Sequence, residues 1–181
     1  MSIRSLAAQL PAADESPGWF AFRTMHKREK VAAKRLERQG VETYVPLRVV
    51  VKHYKSKTVT SSIPLLSTYV LCRLTRAEYG RVLADPDVFE AVSFDGELGR
   101  VSDGEVAFLR AVLAEGDADA YQVQQATSLR PGERVAIVGG ALAGTQGEVV
   151  RDRGKHNFVV RLRNLGVAVE LVVADHLLQR L

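Results

Sequence analysis

Catalysis would require nucleophiles, acids or metal ligands at defined spacings, and the sequence offers no such arrangement. The histidines are scattered without metal-ligand spacing, at His26, His53, His156 and His176. The one cysteine, Cys72, lies in an apolar run and is typical of a small buried hydrophobe, which leaves neither a zinc framework nor an internal disulfide. Gly139-Gly140 and Gly144 are not followed by the Gly-Lys-Ser/Thr of a phosphate loop. We therefore expect a protein that is not an enzyme and has no cofactor or metal.

The residues that could do chemistry are suited to binding a polyanion. The run Lys52-His53-Tyr54-Lys55-Ser56-Lys57 places three lysines around two ring side chains. Lysines at a hairpin tip can reach phosphates, and Tyr54 or His53 could stack on an unpaired base. The run therefore predicts a nucleic-acid contact through Lys52, His53, Tyr54, Lys55 and Lys57. A solvated turn is the alternative interpretation.

Charge is distributed unevenly along the chain. Residues Gly18–Val59 contain eleven Lys/Arg against three acids, a net charge of +8. Residues Glu78–Asp119 contain eleven acids against three arginines, a net charge of −8. A chain polarised in this way can direct one basic side at a polyanion. A solvated surface of mixed charge would give the same count, so the two interpretations remain open.

The elements that position these residues begin with a short aromatic strand, Trp19–Thr24. A helix is predicted over Lys27–Gln39, with a narrow apolar stripe, a mostly basic remainder and a left-handed stop at Gly40. The further predicted strands are Glu42–Val51, a bent or paired segment over Ile63–Leu66 and Tyr69–Leu74, and Val88–Phe94. The further helices are Arg76–Ala84 and one that begins at the Ser102 capping box. The order β-α-β-β-α-β-α predicts an α+β domain, a sheet with helices packed on it.

The pattern changes at Leu129 to short valine-rich runs separated by glycine-containing turns. These runs are Arg134–Val138, Gly147–Arg151, Phe158–Leu162 and Val167–Val173. Such spacing predicts a small β-barrel. We expect a disordered leader over residues 1–16, the α+β domain over 17–115, a linker over 116–128 and the barrel over 129–181. No apolar run is long enough to span a bilayer.

Two stretches carry a resemblance to a known family. Pro131-Gly132-Glu133-Arg134-Val135, continued through Gly144-Thr145-Gln146-Gly147, resembles a KOW motif, whose glycines permit a sharp return into the next strand. Trp19-Phe20-Ala21-Phe22, Tyr44-Val45-Pro46 and Asp85-Pro86-Asp87-Val88, in this order, resemble the NGN domain of the NusG family. Together the resemblance covers residues 18–181.

The resemblance implies a partner and a mechanism. NGN domains of this family bind the clamp of the largest RNA polymerase subunit and contact upstream or non-template DNA. A factor that prefers the active clamp state enriches that state and so promotes processive elongation. Carried over by position, the resemblance implies an exposed apolar polymerase-binding patch of Phe20, Leu65, Leu66, Tyr69 and Leu83.

The resemblance also implies a surface on the C-terminal domain and a specialised role. Asn164, Leu165 and Gly166 align with the KOW loop that contacts a ribosomal small-subunit protein or termination factor Rho. Ser67-Thr68 stands where NusG has Pro-Gly, which favours a specialised paralogue resembling RfaH and the polysaccharide-operon antiterminators. We expect a cytoplasmic monomer that acts in transcription elongation and antitermination. The alternative is a KOW-type RNA-binding or ribosome-associated protein.

Overall fold

A computed structural model describes residues 16–75, 78–94, 97–114, 121–125, 132–140, 142–152, 155–162, 167–173 and 175–181. The chain divides into two compact units. One unit comprises residues 1–46 and 64–103, and the other comprises residues 47–63 and 104–181. The predicted leader lies outside the described residues except for the exposed Ser16.

The elements up to residue 114 are strand β1 (Gly18–Thr24), helix α1 (Glu29–Arg38), strands β2 (Glu42–Tyr44), β3 (Leu47–His53), β4 (Thr58–Pro64) and β5 (Tyr69–Leu74), helix α2 (Tyr79–Leu83), strands β6 (Val88–Ala91), β7 (Ser93–Phe94), β8 (Glu97–Leu98) and β9 (Arg100–Val101), and helix α3 (Asp103–Ala114). The C-terminal elements are strands β10 (Tyr121–Gln125), β11 (Glu133–Ile137), β12 (Gln146–Asp152), β13 (Lys155–Leu162) and β14 (Val167–Val172), a 3-10 turn (Asp175–Leu177) and strand β15 (Leu178–Arg180).

The sheet of the first unit is antiparallel, with strand order β2-β5-β1-β6 and β9 paired to β1 beside β6. Side chains alternate between its two faces, so the register decides which residues share a face. Phe20 lies opposite Cys72 and Phe22 opposite Val70, and these residues form one core with Ala32 and other apolar side chains of α1 and α2. Gly40 ends α1 with φ of +83°, as its position predicts.

The predicted strand Glu42–Val51 is two strands, because the backbone is interrupted at Val45-Pro46. Proline has no N–H to donate to a ladder, and the Pro46 carbonyl instead accepts the Leu65 N–H at 2.7 Å. Beyond Pro46 the chain forms the two-stranded β3–β4 sheet, and the run Lys52–Lys57 lies at the end of this hairpin, as its interpretation as a hairpin tip predicts. The helix predicted over Arg76–Ala84 is described only as the five-residue α2.

The C-terminal sheet has six antiparallel strands in the order β10-β14-β13-β12-β11-β15. Gly144 has φ of +86°, and a Cβ on Gly147 would lie 2.6 Å from the Phe158 ring, so both glycines are needed where the sequence places them. The described pairings end at β10 and β15 and do not close the sheet into the predicted barrel. Tyr121–Gln125, expected within the linker, instead pairs with β14.

Among the described residues, no helix combines the length and the apolar character required to cross a membrane.

Candidate functional site

The β3–β4 hairpin carries the residues predicted to contact nucleic acid. The Tyr54 N–H donates to the Lys57 carbonyl at 2.8 Å, and the His53 ring lies 3.1 Å from the Thr58 hydroxyl, so a tight turn joins the strands. All five predicted residues are exposed, with 56% of Tyr54 accessible. Tyr54 lies in the turn, directly after β3 ends at His53. The structure therefore brings the lysines and both rings to the end of the hairpin.

The hairpin is basic, and it contains no acidic residue to offset its positive charge. No acidic residue occurs between Glu42 and Glu78 in the sequence. Within the described part of the chain, Lys52, Lys55 and Lys57 make no ion pair. Their charges are therefore available to a polyanion, and a phosphate bound there would not meet a neighbouring carboxylate.

Two of the cations near α1 are used inside the protein. Arg35 donates from Nε and Nη2 to the two Asp85 carboxylate oxygens at 2.8 and 2.7 Å, and it also contacts Asp87. Arg28 donates from Nε to Asp87 at 2.9 Å. The side chain of Asp85 is buried, so this bidentate pair joins α1 to the loop between α2 and β6.

These contacts set the ionisation of the two acids. The Arg35 hydrogen bonds hold the pKa of Asp85 below its ordinary value, against a smaller opposing effect of burial. Hydrogen bonds from Arg28 and then Arg35 likewise lower the pKa of Asp87. The hydrogen bonds to Asp85 and Asp87 raise the pKa of Arg35 in turn. Asp85, Asp87 and Arg35 are therefore charged near neutral pH, and part of the basic segment is neutralised by part of the acidic one.

Other cations near α1 form a second basic surface, on the mostly basic side of the helix that the sequence indicates. Lys27, Lys34 and Arg38 are exposed, and none of them has an ion-pair partner among the described residues. Lys34 and Arg38 are four residues apart in α1, a spacing that places them on one side of the helix, whereas Lys27 precedes it.

The structure contradicts the expected exposure of the apolar patch, which is predicted at Phe20, Leu65, Leu66, Tyr69 and Leu83. Phe20, Leu65 and Leu66 are buried, and Tyr69 and Leu83 are half-buried. Phe20 lies on the same face of β1 as Phe22 and packs into the core that also contacts Leu83. Tyr69 lies opposite Arg23 on the other face of the sheet. The structure therefore does not bring the five residues together, and their binding to polymerase stays a prediction.

The face of the sheet that carries Tyr69 has an apolar centre and a charged edge. The central residues are buried: Trp19, Ala21, Leu71 and Val101. At one end the Arg23 guanidinium lies 5.5 Å from the centre of the Tyr69 ring and 3.3 Å from the Glu90 carboxylate. Arg73 pairs with Glu42 at 3.6 Å on the same face. The sequence analysis missed Arg23 because its partners are brought close only by the strand register.

The other residues singled out in the sequence either lie outside the described residues or are buried. Asn164, Leu165 and Gly166, expected to bind a partner of the C-terminal domain, lie outside the described residues. Cys72 is buried, and burial raises the pKa of its thiol to about 12, so it is not a nucleophile. No group of three or more His, Cys, Asp or Glu among the described residues could hold a metal ion.

Comparison with known proteins gives a family match and several structural likenesses. A family model described as "Transcription termination factor nusG" matches residues 17–110, just over half of the 181 residues. A structure described as "Domain interaction in Thermotoga maritima NusG" is 18% identical, covers 92% of this chain and 98% of its own, and has a TM-score of 0.51. The MjSpt4:Spt5 complex in conformation A is 20% identical over 90% of this chain and 97% of its own, with a TM-score of 0.30. No curated protein matches the chain.

The family match over residues 17–110 includes β1, α1 and β5 of the first unit. The likeness to the Thermotoga structure supports the same fold. The chain therefore belongs to the NusG family of transcription factors.

Proposed function

We propose that this protein is a transcription elongation factor that binds RNA polymerase and promotes processive elongation. The observation that carries the proposal is the family match over residues 17–110. By population shift, a factor that binds the active polymerase better than the paused one lengthens the time spent in elongation. The protein acts as a binding module, without catalysis and without a cofactor.

The polymerase-binding surface in this proposal is the accessible margin of the sheet face that carries Tyr69, since the centre of that face is buried. Tyr69 and Tyr44 are half-buried there, and Arg23 and Arg73 are exposed. Tyrosine and arginine are the residues that contribute most binding energy at protein interfaces. A helical part of the polymerase clamp with acidic side chains would complement this face.

The basic end of the hairpin contacts upstream or non-template DNA in this proposal. Lys52, Lys55 and Lys57 supply phosphate contacts, and Tyr54 supplies a stacking surface. Phosphate contacts position a protein on DNA without reading its sequence. Binding to DNA would therefore add affinity for the elongation complex without selecting a target by itself.

The C-terminal sheet is a KOW domain in this proposal. Its six strands and the glycines at Gly144 and Gly147 agree with a small barrel. Such a domain would bind a ribosomal small-subunit protein or Rho. The same sheet favours the second candidate function, a KOW-type RNA-binding or ribosome-associated protein, which would need no polymerase-binding face.

A specialised, antiterminating role is favoured by the turn before Tyr69. Thr68 has φ of +67° at the position where the NusG pattern has glycine. We propose a cytoplasmic monomer that acts on particular long operons and suppresses termination there, in the manner of a paralogue of the general factor.

The test is co-purification of the full chain with RNA polymerase on an assembled elongation scaffold with upstream DNA. We compare the wild type with Tyr69→Ser and with Tyr54→Ser, which removes an exposed tyrosine from the hairpin. Loss of binding with Tyr69→Ser alone supports the proposed face. Absence of wild-type binding contradicts the proposed function, and retained binding to ribosomes or RNA would then favour the second candidate.

A further inference from the structure

The turn before Tyr69 contains an unfavourable backbone conformation. Thr68 has φ of +67°, in the left-handed region. A β-branched residue is uncommon there because its side chain crowds the backbone. Such conformations persist only where the surroundings hold them, and they occur most often at functional sites.

Two backbone contacts hold Thr68 in place. The Thr68 N–H donates to Oε1 of Glu29 at 2.7 Å, and the Thr68 carbonyl accepts the Thr24 N–H at 2.8 Å. Glu29 is only 3% exposed although it belongs to the first turn of the mostly basic α1. Its side chain therefore points inward and serves the neighbouring turn instead of the solvent.

The residue that follows this turn is the one on which the proposed docking face depends. Tyr69 begins β5 directly after Thr68, and its ring meets the Arg23 guanidinium. Arg23 is held from its other side by Glu90. A change in the Thr68 backbone would change the direction in which the chain enters β5 and with it the position of the Tyr69 ring.

We propose that Glu29 is a positioning residue: from α1 it holds Thr68 in the left-handed conformation and so keeps Tyr69 and Arg23 preformed as a contact pair for the polymerase. This inference rests on the proposed function. A preformed contact pair loses less conformational freedom on binding than a mobile one, which raises affinity without adding a contact. Glu29 itself need not touch the partner.

The first experiment uses the free protein, so that it does not depend on polymerase. The full chain is labelled with 3-fluorotyrosine, and the Tyr69 signal is assigned through Tyr69→Phe. Glu29→Ala should move and broaden the Tyr69 fluorine signal while the Tyr54 signal stays in place. Glu29→Gln, which keeps an oxygen acceptor, should restore most of the wild-type position.

A matched control separates positioning from loss of stability. Ala33→Gly weakens the middle of the same helix without touching Thr68, because glycine is a poor helix former. It should lower Tm and leave the Tyr69 signal unmoved. A Tyr69 signal that ignores Glu29→Ala, or that moves equally with Ala33→Gly, overturns the positioning role.

The second experiment is a double-mutant cycle on the polymerase complex. Glu29→Ala should weaken binding about tenfold, equivalent to one hydrogen bond to a charged group. In the Tyr69→Ser background it should weaken binding less than about twofold, because the two residues act together. Equal losses in both backgrounds overturn the inference. Absence of wild-type binding removes the proposed function, whereas the fluorine signal still decides whether Glu29 positions Tyr69.

Discussion

The salt dependence of DNA binding gives a quantitative test of the hairpin. Each phosphate neutralised on duplex DNA contributes about 0.9 to the slope of log K against log salt concentration. Lys52, Lys55 and Lys57 are exposed and unpaired within the described part of the chain. If all three contact phosphates, replacing them with glutamine should reduce the magnitude of the slope by about 2.7.

The matched control removes the same charge from another surface. Lys27, Lys34 and Arg38 near α1 are also exposed and unpaired in the residues described. Changing them to glutamine lowers the net charge by the same three units. A protein that binds through the hairpin should retain its slope in this second variant.

The assay is fluorescence anisotropy of a labelled duplex titrated with each protein between about 50 and 200 mM salt, a range in which several phosphate contacts change affinity by orders of magnitude. Circular dichroism of each variant verifies that the fold is retained. An unchanged slope in the hairpin variant would refute the phosphate contacts. Equal decreases in both variants would show that net charge, and not a local contact, drives the binding.

Three further outcomes follow from the structure. Gly147→Ala should destabilise the C-terminal sheet by about 1–3 kcal/mol in denaturant unfolding, since its Cβ would lie 2.6 Å from a buried ring. Gly80 has open space around it, so Gly80→Ala should not destabilise the protein. Hydrogen bonding depresses the pKa of Asp85 and Asp87 in the folded state, so their contribution to stability is present above an ordinary pKa of about 3.9 and is lost as pH falls through their folded-state pKa values. Denaturant unfolding between pH 7 and pH 2.5 should show this loss of stability, and the loss should be smaller in Asp85→Asn. Cys72 should resist thiol reagents at pH 8 until the protein unfolds, because its pKa is about 12.

The parts of the fold that could be predicted are those that one residue decides locally. Gly40 and Gly144 have positive φ, as their places after a helix and within a turn require. The strands from Glu133 to Val172 begin and end within a few residues of the valine-rich runs. In each case the conformation is determined by a few neighbouring residues, and residue type and periodicity indicate such local structure.

The composition of the docking face could not be predicted, because it depends on which side of a strand the helices cover. Phe20 and Trp19 are adjacent and both aromatic, and the sequence alone does not say which points to α1. The register places Phe20 with Cys72 on one face and Trp19 with Arg73 on the other, and both aromatic side chains are buried, so neither face of β1 would expose Phe20. A one-residue error in parity moves every side chain of the strand to the other face.

Long-range ion pairs also change what the charge count means. The +8 and −8 segments suggest a chain with separated charges. However, Arg28 and Arg35 form ion pairs with Asp85 and Asp87, which are at least 50 residues away in the sequence. These partners hold α1 against the loop before β6 and are not available to DNA. What remains for a polyanion is smaller and divided between the hairpin end and the outer side of α1. Binding to DNA therefore depends on which of these two surfaces contacts phosphates, and not on the net charge of the segment.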